Sequence, residues 1–361
     1  MKRILALLLA LCLLPAAFAA STPEPTLAPE VVETIHAVVD GLFAACTGTT
    51  FETEAEARKD LTDEELTART EQNREYREIT LPWLTAALTW VDETVEPTPG
   101  TSPTPQPEAT PEPEWTIEDS FAAFALNEQG AAYLDLLSTL GGSDIETCMS
   151  ITREALALWL QEIDSEKLTE INPDYNCWIY APGTQIDYPI VHGADNSYYL
   201  HRLFDGTWNS AGTLFMDYRN LPDFLDPNTL VYGHHMRNDS MFGSLTEYAD
   251  QAYFDSHPYM LLIFEGELGL LQLFAGYTTS KHDHCYDIAI SDAEDMRAFV
   301  AEALSKSDFA APIEILPSDH LVTLSTCAYA FENARYITIG KLSLHPFAAA
   351  LEPTDTAPSA N

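Results

Sequence analysis

Three side chains able to do acyl-transfer chemistry stand where short β-type runs end. Leu321-Val322-Thr323-Leu324-Ser325-Thr326-Cys327 is an apolar, β-branched run, and it delivers Cys327 at its end, where a side chain can leave the core. Arg335 lies eight residues on and opens a second run, Tyr336-Ile337-Thr338-Ile339. About ninety residues upstream, Thr229-Leu230-Val231-Tyr232-Gly233-His234 is a third run, and it ends in a histidine. A thiolate is a nucleophile, an imidazole trades protons with it, and a fixed cation holds a developing oxyanion. Each residue alone has a bland reading: a buried small hydrophobe for the cysteine, a solvated charge for the arginine. Together they are the parts of a thiol acyl-transfer site.

Metal chemistry has less support. His234 and His235 are neighbours on a strand, so their side chains point to opposite faces. His282-Asp283-His284-Cys285 is a denser set of donors, yet no second cluster stands at a suitable spacing, and an exposed loop is expected there. The six cysteines show no CxxC spacing, which excludes a zinc ribbon and a dense disulfide framework. A Cys46–Cys148 bridge is conceivable, with two buried free thiols as the alternative. No EF-hand-like loop is present, and neither a metal nor a cofactor is expected.

The elements that must position these residues change character along the chain. Near the start, Val31, Ile35, Val38, Val39, Leu42, Phe43 and Cys46 recur at helical spacing, and residues 54 to 95 form a longer, highly charged helical pattern. A Pro-, Thr- and Glu-rich run follows from Glu96; it cannot bury a core and predicts an extended spacer, or else a surface loop between helices that dock together. Ile117 to Leu140 and Ile145 to Ile163 read as helices, with Ser143 and Glu146 as a capping box for the second. From Cys177 on, about eight short β runs predict a barrel, interrupted by one helix from Asp292 to Leu304. The net charge of −39, from 56 acidic and 17 basic residues, argues against nucleic acid and against an anionic membrane surface as partners. Met1-Lys2-Arg3, the apolar stretch Ile4 to Leu14 and an Ala-x-Ala site ending at Ala19 read as an export signal, cleaved or kept as an anchor.

The run Thr323-Leu324-Ser325-Thr326-Cys327 with Arg335 resembles the TLxTC…R signature of sortases, the transpeptidases of the Gram-positive surface. Asn172-Pro173-Asp174, Trp178-Ile179, Gly183-Thr184, Ile186-Asp187-Tyr188-Pro189-Ile190, Asp195-Asn196, Tyr199-Leu200, Tyr232-Gly233-His234 and Met241-Phe242-Gly243 follow in the order found in class B sortases. The resemblance spans about half the chain, residues 150 to 343. It implies a mostly β fold: a closed sortase-type barrel with N-terminal helices and a helical insertion, here carrying an appended α-helical region. The expected division is signal 1–19, acidic helical region 20–95, linker 96–114, helices packing on the barrel 115–170, catalytic barrel 171–345 and a disordered tail 346–361.

The resemblance also implies roles. Cys327 is the nucleophile, His234 the general acid and base, because the family histidine directly follows glycine, and Arg335 the oxyanion or substrate stabiliser. Asn196, Leu200, Tyr232, Ser325 and Thr326 match positions along the substrate groove. The implied reaction cleaves a sorting motif after threonine through a thioester and passes the acyl group to an amine, a cell-wall precursor or a pilin lysine. The protein would then be exported and membrane-proximal, at the surface or secreted. Tyr329 stands where relatives often have aspartate, and Cys177 where glycine is common. Rival readings are a thiol endopeptidase that resolves the thioester with water and a non-catalytic surface-binding module.

Overall fold

The computed structural model describes residues 27–89, 115–264, 267–311, 313–328 and 333–346. The export signal, the linker 96–114, Tyr329 and the tail from residue 347 lie outside the described residues.

Helix α1 spans Pro29–Thr47, as its apolar spacing predicts; proline opens it, and Gly48 closes it at φ 74°, in the left-handed region. The charged pattern read as one helix is two, α2 (Phe51–Arg58) and α3 (Asp63–Leu88). The break comes at Thr62, whose hydroxyl accepts the Glu65 N–H while the Glu65 carboxylate returns to the Thr62 N–H, so a fresh helix starts there. The stretch 117–140 also divides, into α4 (Ile117–Phe124) and α5 (Glu128–Leu140), with the Asn127 side chain capping the second. Helix α6 (Ile145–Leu160) begins where predicted, but its cap is Asp144, which accepts the Thr147 N–H, rather than Ser143 with Glu146. A carboxylate at the N-cap also meets the positive end of the helix, an advantage a serine hydroxyl lacks. Helix α7 spans Ser165–Ile171.

Trp83 of α3 is fully buried and packs against Phe121 and Phe124 of α4, each at 5.6 Å between ring centres. The helices before and after residues 90–114 therefore share one core, the docked arrangement of the two left open by the sequence. Cys46 and Cys148 lie in that core as free thiols, so the conceivable bridge is not formed.

Eight strands close the barrel: β1 (Tyr175–Tyr180), β2 (Asp187–Val191), β3 (Leu214–Met216), β4 (Asn228–Tyr232), β5 (Tyr259–Phe264), β6 (Glu267–Ser280), β7 (His320–Cys327) and β8 (Ala334–Pro346). Their order around it is β1-β2-β3-β4-β7-β8-β6-β5. Pairs β2/β3 and β4/β7 are parallel and the rest antiparallel. Helices α8 (Gln251–Ser256) and α9 (Ala293–Lys306) precede β5 and β7. β5 reads as an unbroken apolar run because both its faces are buried. Met260 and Leu262 fill the barrel, whereas Tyr259, Leu261 and Ile263 face the helical core, joined there by Leu268 and Leu270 of β6.

A buried ionic cluster ties the first helices to the barrel. Glu54 of α2 accepts from Arg58 Nε (2.7 Å), Arg69 Nη2 (2.7 Å) and Asn73 Nδ2 (2.8 Å). Asp255 of α8 accepts from Arg58, from Asn73 Nδ2 (3.0 Å) and from Arg77 Nη1 (3.0 Å). Burial pushes the Glu54 carboxyl up, but its bonds to Arg69, Asn73 and Arg58 outweigh that and hold it below the usual range.

Candidate active site

Cys327 ends β7 and Arg335 stands at the start of β8, and the two are register partners across the antiparallel pair. Just past Cys327, Ala328 N–H donates to Ala334 O (3.0 Å) and continues the pairing. On the other side of β7, parallel strand β4 pairs Tyr232 with Ser325, and Gly233 N–H extends the ladder to Ser325 O (3.1 Å). The Thr326 hydroxyl donates to Gly233 O (2.9 Å), and His235 Nδ1 donates to Cys327 O (2.9 Å). The thiol strand and the histidine strand are thus stitched together up to Cys327 itself. Cys327 is a half-buried free thiol.

Gly233 is required by packing. A Cβ there would lie 2.3 Å from Leu214 Cδ2 and 2.6 Å from Phe242 Cδ2. With glycine the chain passes this point and presents His234, whose carbonyl then takes the Phe242 N–H (3.0 Å). The His234 ring is held by Leu200 O, 2.7 Å from Nε2, and lies nearly parallel to the His201 ring at 5.8 Å. A carbonyl only accepts, so Nε2 carries a hydrogen and Nδ1 is the nitrogen left to exchange protons.

The positions assigned to a groove gather beside this edge. Asn196 donates through Nδ2 to Asp217 Oδ2 (2.9 Å) and accepts the Tyr218 N–H at Oδ1 (3.1 Å). Tyr232 donates its hydroxyl to Asp217 Oδ2 (2.9 Å). Leu200 is half-buried and contributes its carbonyl to His234. Ser325 is buried and bonds the Tyr286 hydroxyl (2.8 Å). The Thr326 hydroxyl is committed to Gly233, so its part is to fix the two strands.

Two residues beside the site carry no local signal in the sequence. Asp217 follows β3 and is fully buried among donors. Tyr286 stacks on Tyr232 at 6.3 Å. Burial pushes the Tyr286 phenol up, while its bond to Ser325 and the Arg335 charge pull the other way. The His282–Cys285 segment ends in a one-turn 3-10 helix, His284–Tyr286. Its Asp283 serves Lys306 Nζ (2.6 Å) and Thr279 (2.7 Å), its Cys285 is buried, and no metal-holding group occurs among the described residues.

No family model matches the chain. The sortase B of Listeria monocytogenes is 34% identical over 181 residues, which cover 48% of this chain and 72% of that protein. Among solved structures, Clostridium perfringens sortase B is 36% identical with a TM-score of 0.48, over 50% of this chain and all of that one. A Staphylococcus aureus sortase B–substrate complex is 29% identical with a TM-score of 0.48, over 53% of this chain and 94% of that one. A third of the aligned residues are shared with the Listeria protein across almost three quarters of its length, so the chain belongs to the sortase B family and is a sortase-type cysteine transpeptidase.

Proposed function

We propose that the protein is an exported transpeptidase that cleaves a sorting motif of surface proteins after threonine and joins the acyl piece to a primary amine. The observation that carries this reading is the register pair Cys327–Arg335, with the His234 strand fastened along the other side of β7. The Cys327 thiolate attacks the threonine carbonyl carbon, and the oxyanion that forms is met by the Arg335 guanidinium. The C–N bond then breaks and the leaving amine takes a proton from His234 Nδ1, leaving a thioester on Cys327. An incoming amine attacks the thioester and gives its proton to His234; the C–S bond breaks and the thiolate returns. The peptide lies along Asn196, Leu200, Tyr232 and Ser325, with the buried Thr326 behind them holding the two strands together. The amine belongs to a cell-wall precursor or a pilin lysine. Export is supported by the basic start and apolar run of residues 1–19, which would place the enzyme at or near the membrane surface.

The test incubates the full chain with a library of threonine-containing peptides and an amine, beside a Cys327→Ala variant, and follows products by mass spectrometry. A thioester on Cys327 and an amine-ligated peptide, both absent from the variant, are expected. Cleavage without ligation would make the protein a thiol endopeptidase. No thioester with any peptide, from an unalkylatable Cys327, would leave only a binding module.

A further inference from the structure

The Asp217 carboxylate is wholly buried and takes every hydrogen bond it can accept. Oδ1 receives the Arg219 N–H (3.0 Å) and Arg219 Nε (2.8 Å); Oδ2 receives Arg219 Nη2 (2.8 Å), the Tyr232 hydroxyl (2.9 Å) and Asn196 Nδ2 (2.9 Å). Burial alone would push this carboxyl up; Arg219 first, then Tyr232 and Asn196, bring it down to about 2, so it stays an anion at any working pH.

An acceptor-only anion at that point dictates what its neighbours can offer a ligand. Asn196 accepts the Tyr218 N–H at its oxygen and gives one of its N–H groups to Asp217, so the flip of the amide is fixed and one N–H remains to donate. Tyr232 spends its hydroxyl proton on Asp217, and its ring lies between Phe215 (5.3 Å) and Tyr286 (6.3 Å). Tyr286 in turn bonds Ser325, two residues before the nucleophile. One continuous chain of contacts therefore runs from Asp217 to the strand that carries Cys327.

We infer that Asp217 is a positioning residue that sets the polarity of the peptide groove: it locks the flip of the Asn196 amide with one N–H left to donate and makes Tyr232 an aromatic wall, so the site selects a peptide that presents a carbonyl acceptor to Asn196. The inference rests on the peptide-transfer reading above. It adds a residue that touches no substrate and a rule for what the substrate must carry. In an Asp217→Asn variant one carboxylate oxygen becomes an NH2 donor, which opposes the Tyr232 hydroxyl and the Asn196 amide and frees both to turn.

The experiment uses the full chain and a fluorescent peptide taken from the ligated products of the library. Asp217→Asn is expected to raise KM at least about tenfold with kcat within about threefold, the loss that follows from unmaking one buried hydrogen bond. The Cys327 alkylation rate is expected to stay at the wild-type value. In a Cys327→Ala background, which cannot react, peptide Kd should rise by the same factor. Asn196→Ala should raise KM similarly, and the double variant should be no worse than either single one, because both remove the same donor. Additive effects, or a fall in kcat at constant KM, would overturn the inference and leave Asp217 a structural residue. Asn196→Asp, a loop substitution that keeps an acceptor and removes the donor, should also raise KM at least about tenfold; a wild-type KM there overturns the donor assignment even if Asp217→Asn fails to fold. An active wild type with an unaffected Asp217→Asn refutes this inference alone, whereas a wild type that forms no thioester refutes the reading beneath it.

Discussion

Replacing Asp255 with asparagine should destabilise the whole protein, although it lies in a short helix outside the transfer site. Its side chain is 0% exposed, and the cations it serves are nearly as buried, Arg77 at 8% and Arg58 at 10%. Asparagine keeps the shape and removes the charge. Arg58 still has Glu54, but among the described residues Arg77 has no other carboxylate partner. Removing one member of a buried pair costs about 3–5 kcal/mol, because the charge left behind is neither hydrated nor neutralised. At roughly 2–4 °C per kcal/mol for a domain of this order of size, the midpoint should fall by about 6–20 °C. Calorimetry and urea unfolding of the full chain measure this, with circular dichroism confirming a folded variant. A loss under about 1 kcal/mol would show that Arg77 reaches water or another anion, and the clamp would be only a surface network. The paired change Arg77→Met with Asp255→Leu should recover more than half of the loss, since an apolar replacement leaves no stranded charge.

The Gly233→Ala variant should lose at least about tenfold in kcat and about 1–3 kcal/mol of stability, because its Cβ would displace Leu214, Phe242 or the His234 backbone; unchanged turnover would mean the histidine tolerates the shift. Asp217 and Asp283 are both held at about 2 against an ordinary 3.8, each by hydrogen-bonded cations that outweigh burial. The stability they supply, about 2 kcal/mol each, is present above about pH 4 and is lost as pH falls toward 2. Urea midpoints at pH 7, 4, 3 and 2 should show that fall, and an Asp283→Asn variant should show a shallower one; equal slopes would refute the assignment.

Much of the candidate site's placement was legible because strand ends are local features. The β-branched run before Cys327 and the short run before His234 appear as β7 and β4, and Arg335 faces Cys327 in register. Strand lengths were less legible. The partner run read over 336–339 extends from Ala334 to Pro346 because β6, far away in sequence, pairs with it throughout. Helix breaks at Thr62 and Asn127 depend on a cap outcompeting a continuing apolar pattern, a contest of about 1 kcal/mol that spacing does not decide. Asp217 looked like one acid among 56, and only the fold brings Arg219, Tyr232 and Asn196 around it. Glu54 and Asp255 are two hundred residues apart, so nothing local in the charged helical pattern marks it as the seam with the barrel.

The two-faced burial of β5 makes the border of family likeness a poor place to divide the molecule. The region of resemblance, residues 150 to 343, shares its hydrophobic interior with the helices before it: Tyr259, Leu261 and Ile263 belong to the barrel by backbone and to the helical layer by side chain. A protease that cut once between residues 89 and 115 would therefore give neither a freed enzyme nor a discarded leader, but a two-chain protein held by Trp83 against Phe121 and Phe124 and by Arg77 on Asp255. Expressed as separate fragments, residues 27–89 and 115–346 would act as complementing halves, and barrel integrity could be switched on by supplying the smaller one.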